Sequence, residues 1–253
     1  MSAQILVLAA GAGKRFKDAG YEDPKPLLPV DADGTPMVCA VGDNLLTEFN
    51  QDPRDGLLLV RQPGDDLGLD SDIVEVVVEG GLTGGAAETA LLAEPHLDPD
   101  EPLIIANSDQ LFRLSARDQG RSLIEAMLAG ALDGFVLTFD AAAAGGDLKR
   151  WSYASVDKSW SRMLTGIVEK PQTIPPGSEA TVGVYGFARA RTAFDAIRAM
   201  MAANDRTNGE FYLAPCYNHL PPASHVALVQ VSEFVPLGTP DDYEAYLKAN
   251  GLR

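Results

Sequence analysis

Two cations near the start of the chain, Arg15 and Lys25, are the residues best placed to do chemistry. Both come after a run of mostly small residues, which follows the apolar Ile5-Leu6-Val7 and reads Leu8-Ala9-Ala10-Gly11-Ala12-Gly13-Lys14. Small residues let a backbone approach a ligand closely, and consecutive amide N–H groups can bind a phosphate. Lys25 lies between two prolines, which restrict the local backbone and so help to aim its ammonium group. The segment predicts a nucleotide-binding loop.

Two well-known nucleotide loops do not fit this segment. A P-loop needs Ser or Thr after its lysine to bind magnesium, whereas Lys14 is followed by Arg15. A dinucleotide-binding loop needs a small residue where Phe16 stands, and a strand that ends in an acidic residue about twenty positions later. Val30-Asp31 lies instead in a segment rich in Pro, Gly and Asp. Taken alone, Gly-Ala-Gly after a strand is equally typical of a tight turn.

Composition limits the partners of this chain. Its 253 residues are enough for one large α/β domain, and its 20 Lys and Arg against 36 Asp and Glu give a net charge of −16. That charge disfavours nucleic acids and anionic membranes, so an anionic substrate has to be attracted by local cations. No basic leader precedes the first apolar run, and no apolar run is long enough to span a bilayer, so we expect a cytoplasmic protein, with homo-oligomers possible.

Apolar runs typical of buried strands alternate with helical patterns. They predict a mostly parallel sheet flanked by helices, with strands at Ile5–Leu8, Leu57–Val60, Ile73–Val78, Leu103–Ala106 and Phe135–Phe139. Helical spacing places Leu123, Ile124, Met127 and Leu128 on one face of a helix, and Phe194, Ile197, Met200 and Met201 on another. Ligands of such sheets bind beyond the carboxyl ends of strands, where the glycine loop and Asp109 both lie.

The pattern of residue types changes after the Ala/Gly run at 141–146. Residues 151–156 and 163–168, joined by a turn through Asp157-Lys158-Ser159, predict a hairpin that begins a small β-rich acceptor-binding portion. No long linker separates the two parts. We therefore expect a single domain over 1–253, with a nucleotide-binding half at 1–140 and an acceptor-binding half at 141–253.

Six motifs occur in one order along nearly the whole chain. They are LAAGAGKRF at 8–16, PKPLLPV at 24–30, NSDQ at 107–110, EKP at 169–171, GVYGF at 183–187 and LGTPDDY at 237–243. This order resembles the sugar-phosphate nucleotidylyltransferases, also called nucleotide-sugar pyrophosphorylases. NSDQ is a variant of the usual acidic motif of that family.

The resemblance implies a Rossmann-like fold of the nucleotide-diphospho-sugar transferase type and a Mg²⁺-dependent reaction. A phosphate oxygen of an acceptor, such as a sugar 1-phosphate, attacks the α-phosphorus of a nucleoside triphosphate, and pyrophosphate leaves. Arg15 and Lys25 are then expected on the triphosphate, Lys170 on the acceptor phosphate and Asp109 on the metal. Such enzymes supply nucleotide sugars, here in a branch associated with surface polysaccharide synthesis.

The same resemblance assigns two further sets of residues. The predicted nucleotide-binding set is Leu8, Ala9, Ala10, Gly11, Ala12, Gly13, Lys14, Thr83, Gly85, Ala86, Asn107 and Ser108, with the loop at 80–89 against the base. The predicted acceptor-binding set is Glu169, Gly183, Tyr185 and Glu210.

Asp109 ends a predicted strand and is the best candidate ligand for a hard divalent cation. A strand-end Asp can also cap a helix, but Ser115 is better placed to cap the next one. Many family members carry a second metal-binding Asp where this chain has Pro236. Glu210 or Asp241 could replace it, or one carboxylate suffices, although Thr239-Pro240-Asp241-Asp242 is also typical of a helix start.

Two other functions stay open on the sequence. One is a glycosyltransferase of related fold that uses a nucleotide sugar, although Asn107-Ser108-Asp109 only half resembles the Asp-x-Asp metal motif of such enzymes. The other is a catalytically weakened nucleotide-binding regulator, which Pro236 suggests. The sequence leaves the base and the acceptor undetermined.

Overall fold

The computed structural model describes residues 2–52, 57–63, 74–79, 81–144, 147–157 and 162–253. Ile73, Gly80, Gly145, Gly146, Lys158 and Ser159, which figure in the expectations above, lie outside these residues. The strands are β1 Gln4–Leu8, β2 Leu57–Arg61, β3 Val74–Val77, β4 Leu103–Asn107, β5 Gln110–Arg113, β6 Gly134–Phe139, β7 Ser152–Val156, β8 Leu164–Glu169, β9 Glu179–Phe187, β10 Val226–Gln230 and β11 Glu233–Pro236. The helices are α1 Lys14–Asp18, α2 Met37–Glu48, α3 Ala86–Leu91, α4 Gln119–Leu128, α5 Ala141–Ala144, α6 Ala190–Ala202 and α7 Pro240–Ala249.

The main sheet has the strand order β10-β6-β9-β4-β1-β2-β3, and the β7–β8 hairpin joins it along β9. The pairs of β1 with β2 and β4, of β2 with β3 and of β6 with β10 are parallel. Strand β9 runs antiparallel between β4 and β6. The predicted α/β fold with a mostly parallel sheet is confirmed, because β8 and β9 are the reversed strands among the nine described strands of this sheet.

Both faces of the sheet are apolar, which is why its strands read as continuous apolar runs. In β1, Leu6 and Leu8 face the layer of α3 and α6, whereas Ile5 and Val7 face the layer of α2 and α4. The predicted stripe on α4 is partly wrong. Leu123, Ile124 and Met127 are buried, but Leu128 is 42% exposed because it ends the helix beyond the packed face.

The predicted hairpin is present as β7 and β8, antiparallel from Ser152 opposite Glu169 to Val156 opposite Leu164. A second, two-stranded sheet pairs β5 with β11, with Pro236 opposite Gln110. Cys39 is half-buried, Cys216 is buried, and both are free thiols. None of the helices in the described ranges is long and apolar enough to cross a membrane.

Candidate active site

The register of three strands brings the main motifs to one edge of the sheet. Leu8 at the end of β1 lies opposite Asn107 at the end of β4, and Val184 of β9 lies opposite Ala106. The glycine loop and Ser108-Asp109 therefore leave the sheet side by side, next to Gly183 within β9. Gly183 has φ +93°, and a Cβ there would lie 2.6 Å from the Asn107 side-chain nitrogen, so this contact requires glycine.

The glycine loop packs against Lys25. Gly13 has φ +59° and immediately precedes α1, and a Cβ placed on it would lie 3.7 Å from Lys25 Cβ. Lys25 begins a short 3-10 turn in which Pro26 follows it, so its backbone is held. Its Nζ donates to Asp109 Oδ2 at 2.7 Å, and both side chains are largely buried. The predicted triphosphate cation and the predicted metal ligand thus form an ion pair.

Arg15 is exposed beside this pair. No residue in the described part of the chain forms a hydrogen bond or ion pair with its guanidinium, whereas the neighbouring Lys14 pairs with Asp18 on the surface of α1. Arg15 lies close enough to Lys170 for the two charges to repel each other. An unpaired cation is therefore available for an anionic ligand.

A cavity of about 420 Å³ is lined by Arg15, Lys25, Asp109 and Lys170 together. All twelve residues of the predicted nucleotide-binding set line it as well. A second cavity, of about 220 Å³, shares Arg15, Asp109 and Lys170 with the first and is also lined by Glu169, Gly183 and Tyr185. Glu210, predicted to contact the acceptor, lines the larger cavity and not the smaller one.

The loop expected to face the base is fixed by backbone contacts. Gly85 has φ +139°, and a Cβ there would lie 2.5 Å from the carbonyl oxygen of Phe211. The Phe211 N–H donates to the Gly84 carbonyl at 2.8 Å, and the Ala87 N–H donates to the Phe211 carbonyl at 3.0 Å. Thr83 Oγ1 donates to the Gly85 carbonyl at 3.2 Å. These bonds attach the segment that carries Glu210 and Tyr212 to the nucleotide cavity.

A tight turn at Asn208-Gly209 explains how Glu210 and Tyr212 reach the site. Both turn residues have positive φ, 52° and 83°, and Thr207 and Glu210 exchange two backbone hydrogen bonds. Asn-Gly is the preferred pair for such a hairpin turn. The turn sends Tyr212 back toward Lys170.

Lys170 lies where the two cavities meet. It follows β8 with φ +44°, and its Nζ donates to the Tyr212 hydroxyl at 2.6 Å and lies 4.1 Å from the centre of that ring. Burial lowers the pKa of Lys170, and Glu169 beside it partly opposes that shift. The same burial, with the nearby Glu210 carboxylate, raises the pKa of the Tyr212 hydroxyl.

Glu169 forms the buried floor of the smaller cavity. Ser152 Oγ donates to Glu169 Oε2, and burial raises the pKa of this carboxyl. Tyr185 is buried next to it, with its hydroxyl 3.1 Å from Thr181 Oγ1, and burial raises its pKa as well. A carboxylate that keeps one hydrogen-bonded oxygen and faces hydroxyl groups is suited to hold a polar, uncharged part of a ligand.

Of the two predicted helix caps, the one at Ser115 is wrong and the one at Thr239 is confirmed. Asp109 is followed by strand β5 and not by a helix. The prediction that Ser115 caps the next helix is wrong: α4 begins at Gln119 after Asp118, because an intervening turn delays it, and the Ser115 N–H donates to Gln119 Oε1 instead. The predicted start of α7 is confirmed, since the Thr239 side chain accepts from the Asp242 N–H at 3.2 Å.

No cluster of three or more acidic, His or Cys residues that could hold a metal occurs in the described ranges. Asp241 lines neither cavity, whereas Glu210 lines the larger one. Asp109 is therefore the carboxylate at the junction of the cavities, with Oδ1 free of hydrogen bonds to the described residues.

Sequence reasoning missed several residues that line the smaller cavity: Tyr212, Arg150, Trp151, Phe234 and Asp242. Tyr212 was detectable from its position two residues after Glu210 in a conspicuous motif. Arg150 and Asp242 are 92 residues apart, and nothing in either local sequence indicates that they pair.

Comparisons with known proteins support the fold. A nucleoside-diphosphate-sugar pyrophosphorylase from Vibrio cholerae has 24% identity and a TM-score of 0.72, over 96% of this chain and 99% of that one. A Bacillus anthracis protein assigned as a glucose-1-phosphate thymidylyltransferase, solved with sucrose, has 19% identity and a TM-score of 0.74, over 99% of this chain and 95% of that one. This chain has the nucleotide-sugar pyrophosphorylase fold. No protein-family model matches it, and no curated protein is significantly similar in sequence. In the pyrophosphorylase fold of this chain, both cavities open beyond the carboxyl ends of β1 and β4.

Proposed function

We propose that the protein is a nucleotidyltransferase that moves a nucleotidyl group from a nucleoside triphosphate to a sugar 1-phosphate or a related phosphorylated metabolite, with release of pyrophosphate. The observation that carries this proposal is the cavity that gathers Arg15, Lys25, Asp109 and Lys170 and joins a second, smaller cavity. A cytoplasmic supply of nucleotide sugar for polysaccharide synthesis is the biological role we propose with it.

The chemistry requires positioning and charge neutralisation and no covalent nucleophile. Arg15, which lines both cavities and has no ion-pair partner among the described residues, binds the triphosphate and the negative charge that develops on it. Lys25 binds the same triphosphate, and the backbone of the glycine loop lies against the phosphates. Lys170, at the junction, binds the acceptor phosphate and directs its oxygen toward the α-phosphorus, while Glu169 orients the rest of the acceptor.

Magnesium suits the residues present. Its usual sites combine one or two carboxylates with substrate phosphates and water, and Asp109 offers a carboxylate oxygen at the junction of the cavities. Asp109 would hold the ion, with Glu210 lining the same cavity as the other candidate. When bound, the ion neutralises phosphate charge. If the ion were bound to Asp109, Lys25, which pairs with Asp109 in this structure and lines the same cavity, would be available to bind the phosphates.

The test is pyrophosphate release from each of ATP, CTP, GTP, UTP and dTTP, with magnesium and a panel of phosphorylated acceptors. Release with one pair, and its loss on the order of a thousandfold in Arg15→Ala, is the expected result. Lys17→Ala, which removes an exposed charge from the same helix, is the matched control and keeps its activity. A folded protein that releases pyrophosphate with no pair is not this enzyme.

A further inference from the structure

Two side-chain nitrogens, Arg150 Nε and Trp151 Nε1, are the buried polar side-chain atoms without a hydrogen-bond partner in the part of the chain that the structure describes. Both residues line the smaller cavity. Buried N–H donors are normally paired, and an unpaired one is destabilising. Two such donors on adjacent residues of a pocket wall call for a physical explanation.

The surroundings of Arg150 explain why its Nε–H cannot find a partner within the protein. Both terminal nitrogens bind Asp242, at 2.8 and 3.0 Å, and Asp242 also accepts from Thr239 Oγ1 at 2.6 Å. This end-on pairing occupies the far end of the guanidinium and leaves the Nε–H edge directed away from the carboxylate. The guanidinium also lies 4.2 Å over the Trp151 ring.

Trp151 is held by aromatic edges and not by a hydrogen bond. Phe139 and Phe234 meet its ring edge-on, at centroid distances of 5.3 and 5.5 Å. The indole is only half-buried, so one side of it borders the cavity. Both donors are buried at the wall of this cavity, so a hydrogen bond from either of them to a ligand requires the Trp151 ring to turn toward the cavity.

We infer that Arg150 and Trp151 are specificity-determining residues, which donate hydrogen bonds to an oxygen of the acceptor remote from its phosphate. This inference rests on the proposed function, in which Lys170 holds that phosphate. The protein's own cations already cover one face of Trp151 and one face of Tyr212, through Arg150 and Lys170. The two other aromatic rings among the described residues of this cavity are also engaged, because Phe234 stacks on Phe139 and Tyr185 is buried. The pocket therefore selects an oxygen-rich acceptor over a phosphorylated amine, whose ammonium group would need an open aromatic face.

The chain contains two tryptophans, so Trp160→Phe leaves Trp151 as its one indole and its fluorescence as a direct report on this pocket. Glucose 1-phosphate, mannose 1-phosphate, glycerol phosphate and phosphocholine are titrated into this variant. We expect at least one of the first three to change the emission and phosphocholine to leave it unchanged. Binding without pyrophosphate release with any triphosphate supports the inference while refuting the proposed reaction.

With an acceptor that turns over, Trp151→Phe keeps the ring and removes the donor, and Arg150→Lys keeps the charge and removes the Nε–H. Each raises the acceptor KM about tenfold and leaves the triphosphate KM unchanged. Arg121→Lys, on an exposed ion pair of α4, is the control. The inference is overturned by no emission change with the three oxygen-rich probes, by a response to phosphocholine, or by an unchanged acceptor KM in both variants.

Discussion

Gly11→Ala separates a ligand-binding role of the glycine loop from a structural one. A Cβ at Gly11 meets nothing within 4 Å, and its φ lies outside the left-handed region that favours glycine. The substitution therefore strains nothing in the folded protein. Because alanine restricts the unfolded chain, it raises stability by about 0.4–1 kcal/mol, or roughly 1–4 °C in Tm. Any loss of activity then has to come from the ligand.

The expected loss is large, because the new methyl group occupies space that the proposed phosphates need. Losing a hydrogen bond to a charged group costs about 1.5–3 kcal/mol, which is roughly a 10- to 150-fold rise in the triphosphate KM. Pyrophosphate release measured against triphosphate concentration gives KM, and differential scanning fluorimetry gives Tm. A triphosphate KM within twofold of the wild-type value, in a protein whose Tm has not fallen, would refute phosphate binding by this loop.

Two companion variants make the comparison strict. Gly13 has φ +59°, so Gly13→Ala costs about 1–2 kcal/mol in the folded state and lowers Tm by roughly 2–8 °C. Gly34 has φ +82° and an open position outside both cavities. Gly34→Ala should therefore lower Tm similarly and leave the triphosphate KM unchanged. Activity that merely follows Tm across the three variants would mean that the loop matters only for stability.

Three further outcomes are expected. Burial lowers the pKa of Lys170, so its positive charge is present at low pH and is lost as pH rises through that lowered value. The acceptor KM should therefore begin to rise at a lower alkaline pH than it would with an ordinary lysine. In Lys170→Arg this rise should disappear, and its persistence would exclude Lys170 as the cause. Asp109→Asn should raise the magnesium concentration for half-maximal pyrophosphate release at least tenfold, since one charged ligand is lost; an unchanged magnesium dependence would exclude Asp109 as the ligand. Gly85→Ala should lower the free energy of unfolding by about 2–6 kcal/mol in urea denaturation, because its Cβ would meet the Phe211 backbone at 2.5 Å; the control Gly209→Ala, with open space, should lose only about 1–2 kcal/mol, and equal losses would mean that the Phe211 contact is unimportant.

The elements that sequence predicted well are those with local causes. The apolar run of β1 fixes a buried strand, and the Thr239-Pro240 pair fixes the start of α7. The direction of β9 has no such local cause, since a strand buried on both faces reads the same whether its neighbours run parallel or antiparallel. Its insertion between β4 and β6 places Gly183 against Asn107, a contact between residues 76 positions apart that neither motif indicates alone.

The candidate site divides in the same way. Residues within a motif, such as Arg15 and Lys170, could be singled out by type and position, because a cation beside a glycine loop or after a strand has few structural uses. Arg150 and Asp242 could not be singled out, because they come together only through a contact between α7 and the short 3-10 turn that precedes β7. Charged residues that are far apart in the sequence can be assigned to one site only when the register of the strands is known.

Pro236 stands where the resembled family often carries a second metal-binding Asp, and its surroundings show what this difference does to the charge of the site. It pairs across from Gln110, and the next residue's N–H donates to the Asp109 carbonyl at 2.8 Å, so position 236 lies beside the candidate metal ligand. A carboxylate there would add a second negative charge, whereas proline adds none and leaves Lys25 to balance Asp109 alone. One carboxylate paired with one lysine is close to neutral. Beyond that pair, the cations Arg15 and Lys170 outnumber the one carboxylate, Glu210, among the described residues that line the larger cavity. The remaining positive charge favours an anionic ligand despite a net charge of −16 on the chain.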